Sequence, residues 1–217
     1  MGVRMKKKQI ILYSIMTSIL IIVIGMICFF NIPRISYKYD EITDSYYVKN
    51  VYGNSKFYEI KDYYNNKEVT KISARSFMDK NVSSIKLGKN IRIIERYAFS
   101  GCVNLEEINL ENVTRIERNA FENCYNLKEI KLCNADILSG AFINCENLEE
   151  VELNNVKSLG SLCFAFTKIE TISIPSTVSF VGKDAFYGCN SLKKIYIYGN
   201  LLMDNEYLNR LNIVIFK

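Results

Sequence analysis

One phrase of sequence returns six times along this chain at an almost fixed interval, and this period constrains the fold more than any other feature. Each copy places a Phe after a small residue, and four copies place a Cys three positions later. Successive Phe residues are separated by 22, 22, 21, 22 and 22 positions. They are Phe77, Phe99, Phe121, Phe142, Phe164 and Phe186. A period of this length is typical of a solenoid, in which each repeat forms one coil and stacks on its neighbours.

The residues between two Phe positions predict how one coil is built. In the clearest copy, residues 116–132, Ile130 and Leu132 are separated by one polar residue, which is the alternation of a half-buried strand. Stacked coils then predict a parallel ladder with about 4.8 Å between strands. We expect each Phe to fill the same slot in its coil, the Ala before it to fit a crowded backbone, and Asn or Gly near the Cys to form a tight bend.

This pattern resembles a known repeat family. The signature Ala-Phe-x-x-Cys-x-x-Leu-x-x-Ile-x-Leu, followed by Val-x-x-Ile, is similar to the BspA-like leucine-rich repeats of bacterial cell-surface proteins. The resemblance covers residues 67–197, with six copies in register. The first copy lacks the Cys, and the fifth has Cys163 before Phe164 and is one residue shorter. The resemblance implies a leucine-rich repeat superhelix, a mainly β or α/β solenoid with one short parallel strand per coil, and a role in adhesion or partner binding.

The segments on either side of the repeats are predicted to cover the ends of the array. Residues 33–66 are rich in Tyr and predict a spacer followed by an N-terminal cap, because the first coil of a solenoid needs a covered end. The alternative is a Tyr-rich adhesive patch. Turns are expected at 53–54 and 65–66. Residues 198–217 predict a C-terminal cap made of a helix and a closing strand over 212–216.

The start of the chain predicts a membrane anchor. Residues 10–32 carry no charge, and these 23 residues would span about 34 Å as a helix, enough for a bilayer core. Residues 1–9 contain four basic residues and no acid, so the positive-inside rule predicts a cytoplasmic basic tail and a repeat domain outside the cell. A cleaved signal peptide would need a shorter apolar run and a small-x-small site, which residues 26–33 do not contain. We therefore expect an uncleaved signal anchor with a single span.

Composition argues against nucleic-acid binding and against most catalytic chemistry. Four of the 28 basic residues lie in the first eight positions, which leaves 24 against 23 acidic residues and no basic stripe to meet phosphates. The chain contains no His, which is the commonest general base and a common zinc ligand. We expect a protein that is not an enzyme and uses no metal or cofactor.

The seven cysteines suggest a disulfide framework at first sight. Four of them occupy the same slot of the repeat and should form an inward-facing column: Cys102, Cys124, Cys145 and Cys189. Side chains stacked in parallel offer poor disulfide geometry, and the chain has no CxxC pair. We therefore expect buried thiols rather than bridges or a metal site, with Cys133 and Cys163 off the column.

The exposed side of the strand ladder is the predicted binding surface, because solenoids use such ladders for recognition. Its residues lie between the alternating Ile and Leu positions or just before them. They are Lys86, Glu107, Asn109, Glu129, Lys131, Glu150, Glu152, Thr171, Ser173, Lys194, Tyr196 and Tyr198. The surface is polar and mixed in charge, with two Tyr near one end, which suits recognition of an extracellular protein or a glycan.

Two alternatives remain, one for this surface and one for the function of the whole chain. Carboxylates at 106–107, 129, 149–150 and 152 could form an acidic stripe for cations, although nearby lysines favour a solvated face of mixed charge. The second function hypothesis is a self-associating structural or scaffolding protein of the cell envelope.

Overall fold

The computed structural model describes residues 14–23, 32–199, 201 and 213–217. Residues 14–23 are helical, and among all the residues described no helix is long and apolar enough to cross a membrane. The basic tail, residues 10–13 and 24–31 of the predicted anchor, and the predicted helix of the C-terminal cap lie outside the described residues.

The repeats form a β-solenoid in which most coils contribute one strand to each of two sides. One side is a continuous ladder that begins with the antiparallel strands β1 and β2 and continues in parallel. Its strands are β1 (Arg34–Asp40), β2 (Ser45–Tyr52), β5 (Lys67–Ile72), β7 (Ile93–Ile94), β9 (Arg115–Ile116), β11 (Asp136–Ile137), β13 (Ser158–Leu159) and β15 (Phe180–Val181). A further strand, β4 (Tyr63–Tyr64), pairs antiparallel with β5.

The other side, which we call the strand face, carries the alternating Ile and Leu positions. Its strands are β3 (Phe57–Glu59), β6 (Ser84–Lys86), β8 (Glu107–Ile108), β10 (Glu129–Cys133), β12 (Glu150–Asn154), β14 (Thr171–Ile174), β16 (Lys194–Ile197) and β17 (Val214–Phe216). They pair as three separate parallel ladders, β3-β6-β8, β10-β12 and β14-β16-β17.

The expectation of one strand per coil is wrong, because the continuous ladder supplies a second. From β7 to β15 its strands are two residues long, and each has one buried residue such as Ile94 or Ile116. Two residues are too few to show an alternation in the sequence. Residues 67–197 contain no helix, so the mainly β form of the predicted fold is the one observed.

A column of Phe rings forms the centre of the core, as the period predicted. The six rings are at most 4% exposed, and successive ring centroids are 5.0–6.0 Å apart. Tyr58 closes the N-terminal end of this column, with its ring edge-on to Phe77 at 5.5 Å. Each interior ring is therefore covered by the coils on both sides, so the burial of one Phe depends on its neighbours.

Two left-handed backbone positions flank each Phe and turn the coil. They lie two residues before the Phe and two residues after it. The positions before are Arg75, Tyr97, Asn119, Gly140, Leu162 and Asp184, and those after are Asp79, Gly101, Asn123, Asn144, Phe166 and Gly188. Asn, Asp and Gly tolerate this conformation, which confirms the predicted bend. Arg75 and Tyr97 depart from these residue types in the first two coils, and the fifth coil departs at both positions, with Leu162 and Phe166 at φ of 57° and 59°.

The predicted cysteine column is present and faces inward. Each column thiol donates a hydrogen bond to the Phe carbonyl of the preceding coil, for example from Cys124 Sγ to Phe99 O at 3.2 Å. In the fifth coil Thr167 occupies the slot, and its Oγ1 lies 2.9 Å from Phe164 O and 3.2 Å from Cys189 Sγ. The six described cysteines are free thiols. The column thus serves packing and hydrogen bonding inside the coils.

The Tyr-rich segment contributes strands that extend the continuous ladder at its N-terminal end. Strands β1 and β2 form a hairpin, and the ring of Tyr64 stacks on Tyr37 at 4.5 Å and meets Tyr46 edge-on at 4.9 Å. Asn65 and Asn66 have φ of 48° and 62°, which confirms the predicted turn between β4 and β5. At the opposite end, the closing strand is present as β17, parallel to β16.

Candidate recognition groove on the strand face

The predicted binding residues lie on the strand face, with their Ile and Leu neighbours buried beneath them. Ten of the twelve are exposed, whereas Asn109 and Tyr196 are half-buried. The alternation arises because successive side chains of a strand point to opposite faces. In β10, for example, Ile130 and Leu132 are buried while Lys131 points to solvent. Only some of these exposed residues lie together in one site.

The strand face is interrupted between β8 and β10, and again between β12 and β14. Among the described residues no backbone pairing joins β8 to β10, and β8 itself is only two residues long. Directly after β8, Asn109 turns its side chain to the preceding coil: Oδ1 accepts a hydrogen bond from Leu87 N–H at 2.6 Å, and Nδ2 donates to Leu87 O at 3.1 Å. The amide thus imitates a backbone pair. The side chain of Asn109 therefore forms hydrogen bonds that join two coils, which the sequence did not indicate.

A groove of about 640 Å³ opens between β8 and β10. It brings together five of the predicted binding residues, Lys86, Glu107, Asn109, Glu129 and Lys131. It also contains Phe57 and Glu111, which the sequence analysis missed. Phe57 precedes the first full repeat and Glu111 lies beyond the Ile-x-Leu pair, so neither falls on a position that the repeat frame marks as outward. A second groove of about 600 Å³ shares Lys86 and Asn109 and continues to Tyr63 and Lys89.

The charges of the groove are unbalanced, because its two lysines are paired with acids outside its lining. Lys86 Nζ lies 2.7 Å from Glu59 Oε1, and Lys131 Nζ lies 3.2 Å from Glu152 Oε1. The hydrogen bond and charge of Glu152 raise the pKa of Lys131, and Glu129 and Glu111 add to the rise.

Three acids of the groove have no such partner. Within the part of the chain that the structure describes, Glu107, Glu111 and Glu129 form no salt bridge. Glu129 stands in register with Glu150 of the next coil, and like charges directly opposite each other are destabilising. The groove is therefore net acidic, with an exposed Phe57 ring at one end.

The remaining predicted residues do not join this groove. Glu150 and Glu152 lie one coil further on, and Thr171 and Ser173 stand in register with Lys194 and Tyr196 on β16. The ring of Tyr196 is covered on one side by Lys217, whose Nζ lies 4.4 Å from the ring centroid. Tyr198, the other predicted aromatic anchor, remains exposed, with Lys217 Nζ at 5.8 Å. The C-terminal half of the strand face thus exposes Glu150, Glu152, Thr171, Ser173 and Lys194, together with two Tyr near Lys217.

The carboxylates on the strand face do not converge on a metal. Across residues 32–199 and the other described positions, no group of three or more Cys, Asp and Glu side chains is arranged to hold an ion. Glu107, Glu111 and Glu129 are instead part of the lining of the groove.

Comparison with known proteins places this geometry in a family. The family model for the BspA type leucine rich repeat region matches the chain in six copies, over residues 49–139 and 70–193. No curated protein sequence matches the chain significantly.

Solved structures of bacterial leucine-rich repeat proteins share the fold at low sequence identity. A leucine rich repeat protein from T. pallidum is 17% identical, with a TM-score of 0.56 over 77% of this chain and 74% of its own. A leucine rich cell surface protein from Faecalibacterium prausnitzii A2-165 is 20% identical, with a TM-score of 0.55 over 75% and 52%. The pneumococcal vaccine antigen PcpA is 20% identical, with a TM-score of 0.62 over 77% and 48%. The chain spans about half the length of the last two.

Proposed function

Because this chain belongs to the BspA-type leucine-rich repeat family, we propose that it is a non-catalytic recognition protein that binds a protein partner through the groove between β8 and β10. The single observation that carries this proposal is the groove itself, in which the strand face is interrupted and five exposed or half-buried polar residues meet. Solenoids commonly bind partners on such extended surfaces.

The charge of the groove favours a partner segment that carries Lys or Arg. Glu107, Glu111 and Glu129 have no salt-bridge partner in the described part of the chain, while Lys86 and Lys131 are already paired. A basic segment would neutralise the three acids, and complementary charge increases both association rate and specificity. Phe57, half-exposed at the end of the groove, offers an apolar contact beside the charges.

We also propose that the repeats are displayed outside the cell on a single N-terminal anchor, in a role of recognition or adhesion. The support is the uncharged run over residues 10–32, the basic residues before it, and the similarity of the fold to a bacterial cell surface protein. An epitope placed after Lys217 should be stained by antibody on intact cells. Staining only after the cells are permeabilised would contradict this orientation.

The groove is tested by charge reversal. The purified full chain is screened against an array of bacterial and host surface proteins and glycans, and binding of the best protein partner is then measured for Glu129→Lys. We expect its affinity to fall at least about tenfold, or about 1.4 kcal/mol, because a like charge replaces an attractive one. Glu41→Lys is the matched control, since Glu41 is exposed on the β1–β2 hairpin and lies outside the groove. Equal losses for both variants, or binding of glycans alone, would contradict the proposal.

A further inference from the structure

A group of exposed arginines follows the continuous ladder in the first three coils. Five of the eight arginines of the chain lie within residues 75–118. Arg96 and Arg118 occupy the same position in two stacked coils, three residues before the core Phe, and the N–H of Tyr97 donates a hydrogen bond to Arg118 O at 3.2 Å. The guanidinium of Arg75, from the preceding coil, lies 5.6 Å from the Tyr97 ring centroid. Arg75, Arg96 and Arg118 are all exposed, and we call them the arginine cluster.

The arginine cluster lacks an acidic partner within the described part of the chain, where none of its three side chains forms a salt bridge. The acid that precedes each stacked arginine is already engaged: Glu95 lies 3.1 Å from Lys71 Nζ, and Glu117 lies 3.3 Å from Arg115 Nε. Guanidinium groups without counter-charges favour an anionic partner, and Arg pairs with carboxylates through two parallel hydrogen bonds. The balanced charge of the whole sequence conceals this cluster, because it forms only when the coils stack.

The groove on the strand face carries the complementary charges in the same two coils. Glu107 and Glu129 each lie eight residues after a core Phe, just as Arg96 and Arg118 each lie three residues before one. The two Phe rings concerned are 5.0 Å apart. Each pair is therefore offset by one coil along the solenoid axis, and the two pairs lie at matching levels on different sides of the molecule.

We propose that the groove binds the arginine cluster of a second copy of this chain, with the two solenoids side by side and their axes parallel. Arg96 and Arg118 of one copy then face Glu107 and Glu129 of the other, coil for coil. A second copy fits because the chain itself supplies both the acids that need a basic partner and the arginines that need an acidic one, at equal spacing. This inference rests on the proposed function, because it names a partner of the same groove.

Display on one membrane favours the parallel arrangement. Copies held by the proposed N-terminal anchor stand in the same orientation, so their arginine clusters and grooves lie at the same distance from the bilayer. An antiparallel pair would point one anchor away from the membrane. The contact joins unlike surfaces, so each copy of a pair keeps one of the two surfaces free, and further copies extend a row. Beyond the first eight residues the chain carries 24 basic and 23 acidic residues, so net charge does not oppose such rows.

Exchange of charges tests the contact in the full chain. Two forms with different tags are expressed in the same cells, and the amount of one form captured with the other is measured after extraction in detergent. Arg96→Glu with Arg118→Glu in both forms should reduce this co-capture at least about tenfold, because acids then face acids. Glu107→Lys with Glu129→Lys in both forms should do the same. When one form carries the arginine changes and the other the glutamate changes, every contact again joins opposite charges, and co-capture should return.

Lys157→Glu with Lys183→Glu is the matched control. It makes the same change of net charge at exposed positions of later coils, and Lys183 occupies the repeat position of Arg96, so co-capture should stay unchanged. Wild-type copies that are not captured together, or a lost co-capture that does not return in the mixed pair, would overturn the proposal. Circular dichroism of the purified chains checks folding. If a reversed chain does not fold, Arg96→Gln with Arg118→Gln decides, and unchanged co-capture for it would refute the contact.

The two proposals for the groove fail in different ways. If the groove binds another basic protein instead of a second copy, Glu129→Lys weakens that partner while the arginine changes leave co-capture unaffected. That result would refute the contact between copies and leave the proposed function standing. Loss of co-capture with the arginine changes and its return in the mixed pair would establish the second copy, whatever the surface-protein array yields.

Discussion

Phe121 illustrates how a single residue is specified by the stacked coils. Its ring lies between those of Phe99 and Phe142, with centroids 5.0 Å away on both sides. The sequence predicted this slot because the same residue type recurs at a fixed interval. It did not predict the two left-handed positions around each Phe, because their residue types vary from Arg75 to Gly188. The backbone conformation there is imposed by the coil, and some residues accept it at a cost in free energy.

Phe166 is the clearest example of a residue whose left-handed backbone costs free energy. Its φ is 59°, while the equivalent residues of the two preceding coils are Asn123 and Asn144, whose side chains share a 2.9 Å hydrogen bond. Phe166→Asn should extend this amide ladder and relieve the backbone, and we expect the free energy of unfolding to rise by about 1 kcal/mol. Urea denaturation measures this free energy of unfolding. Asn144→Phe is the reverse change and serves for comparison. A destabilised Phe166→Asn chain would contradict this account.

The cysteine column predicts selective thiol chemistry. Burial raises the pKa of Cys102, Cys124, Cys163 and Cys189, which keeps these thiols protonated and inaccessible. Iodoacetamide added to the native chain should therefore modify the half-buried Cys133 and leave these four unmodified, whereas all should react in denaturant. Peptide mass spectrometry gives the extent at each site. Rapid native labelling of Cys124 would show that the column is open.

The same raised pKa values predict how stability depends on pH. In the unfolded chain a Cys loses its proton at about pH 8.5, whereas the buried thiols keep theirs at that pH. The native state then binds more protons than the unfolded state, so stability falls as the pH rises above about 8.5, by up to about 1.4 kcal/mol per pH unit for each buried thiol. Thermal denaturation between neutral and alkaline pH measures this loss. Replacing Cys124 by Ala should reduce the slope, and an unchanged slope would argue against the linkage.

At the scale of elements, the alternation of Ile and Leu with polar residues was sufficient to predict the strands of the strand face. Its interruption was not predictable, because β8 repeats the same pattern as β10. Directly after β8, the side chain of Asn109 bonds to the backbone of Leu87 in the preceding coil, which the repeat pattern does not indicate. Of the candidate site, the sequence therefore predicted the outward residues but not which of them meet in a groove. That grouping depends on where the ladder is broken.

Asn109 gives a prediction at this scale. Asn109→Ala removes both hydrogen bonds to Leu87, which leaves a backbone N–H and C=O without partners near the core. We expect a loss of about 1–3 kcal/mol in the free energy of unfolding. Asn112→Ala is the matched control, since Asn112 is exposed nearby and should change stability little. Chemical denaturation of the three chains makes the comparison, and equal stabilities would show that the amide bridge is not structural.

At the scale of the whole molecule, the strands of the Tyr-rich segment lie at the N-terminal end of the ladder, and the groove opens between β8 and β10. The period predicted the stacked architecture because each coil needs its neighbours to bury its apolar side. The pairing of β1 with β2 has no repeat to follow, so it required the structure. Strand β1 begins at Arg34, two residues after the predicted anchor, so an anchored chain would hold its first coils close to the bilayer.

The proposed function depends on recognition in the groove between β8 and β10. Photo-crosslinking tests it most directly: a photoreactive amino acid replaces Glu129 in the full chain, and in a second chain it replaces Glu41 on the cap hairpin. Both positions are exposed. After irradiation in the presence of surface proteins, we predict covalent partner adducts from position 129 and none above background from position 41. Adducts from position 41 with none from position 129 would contradict the claim.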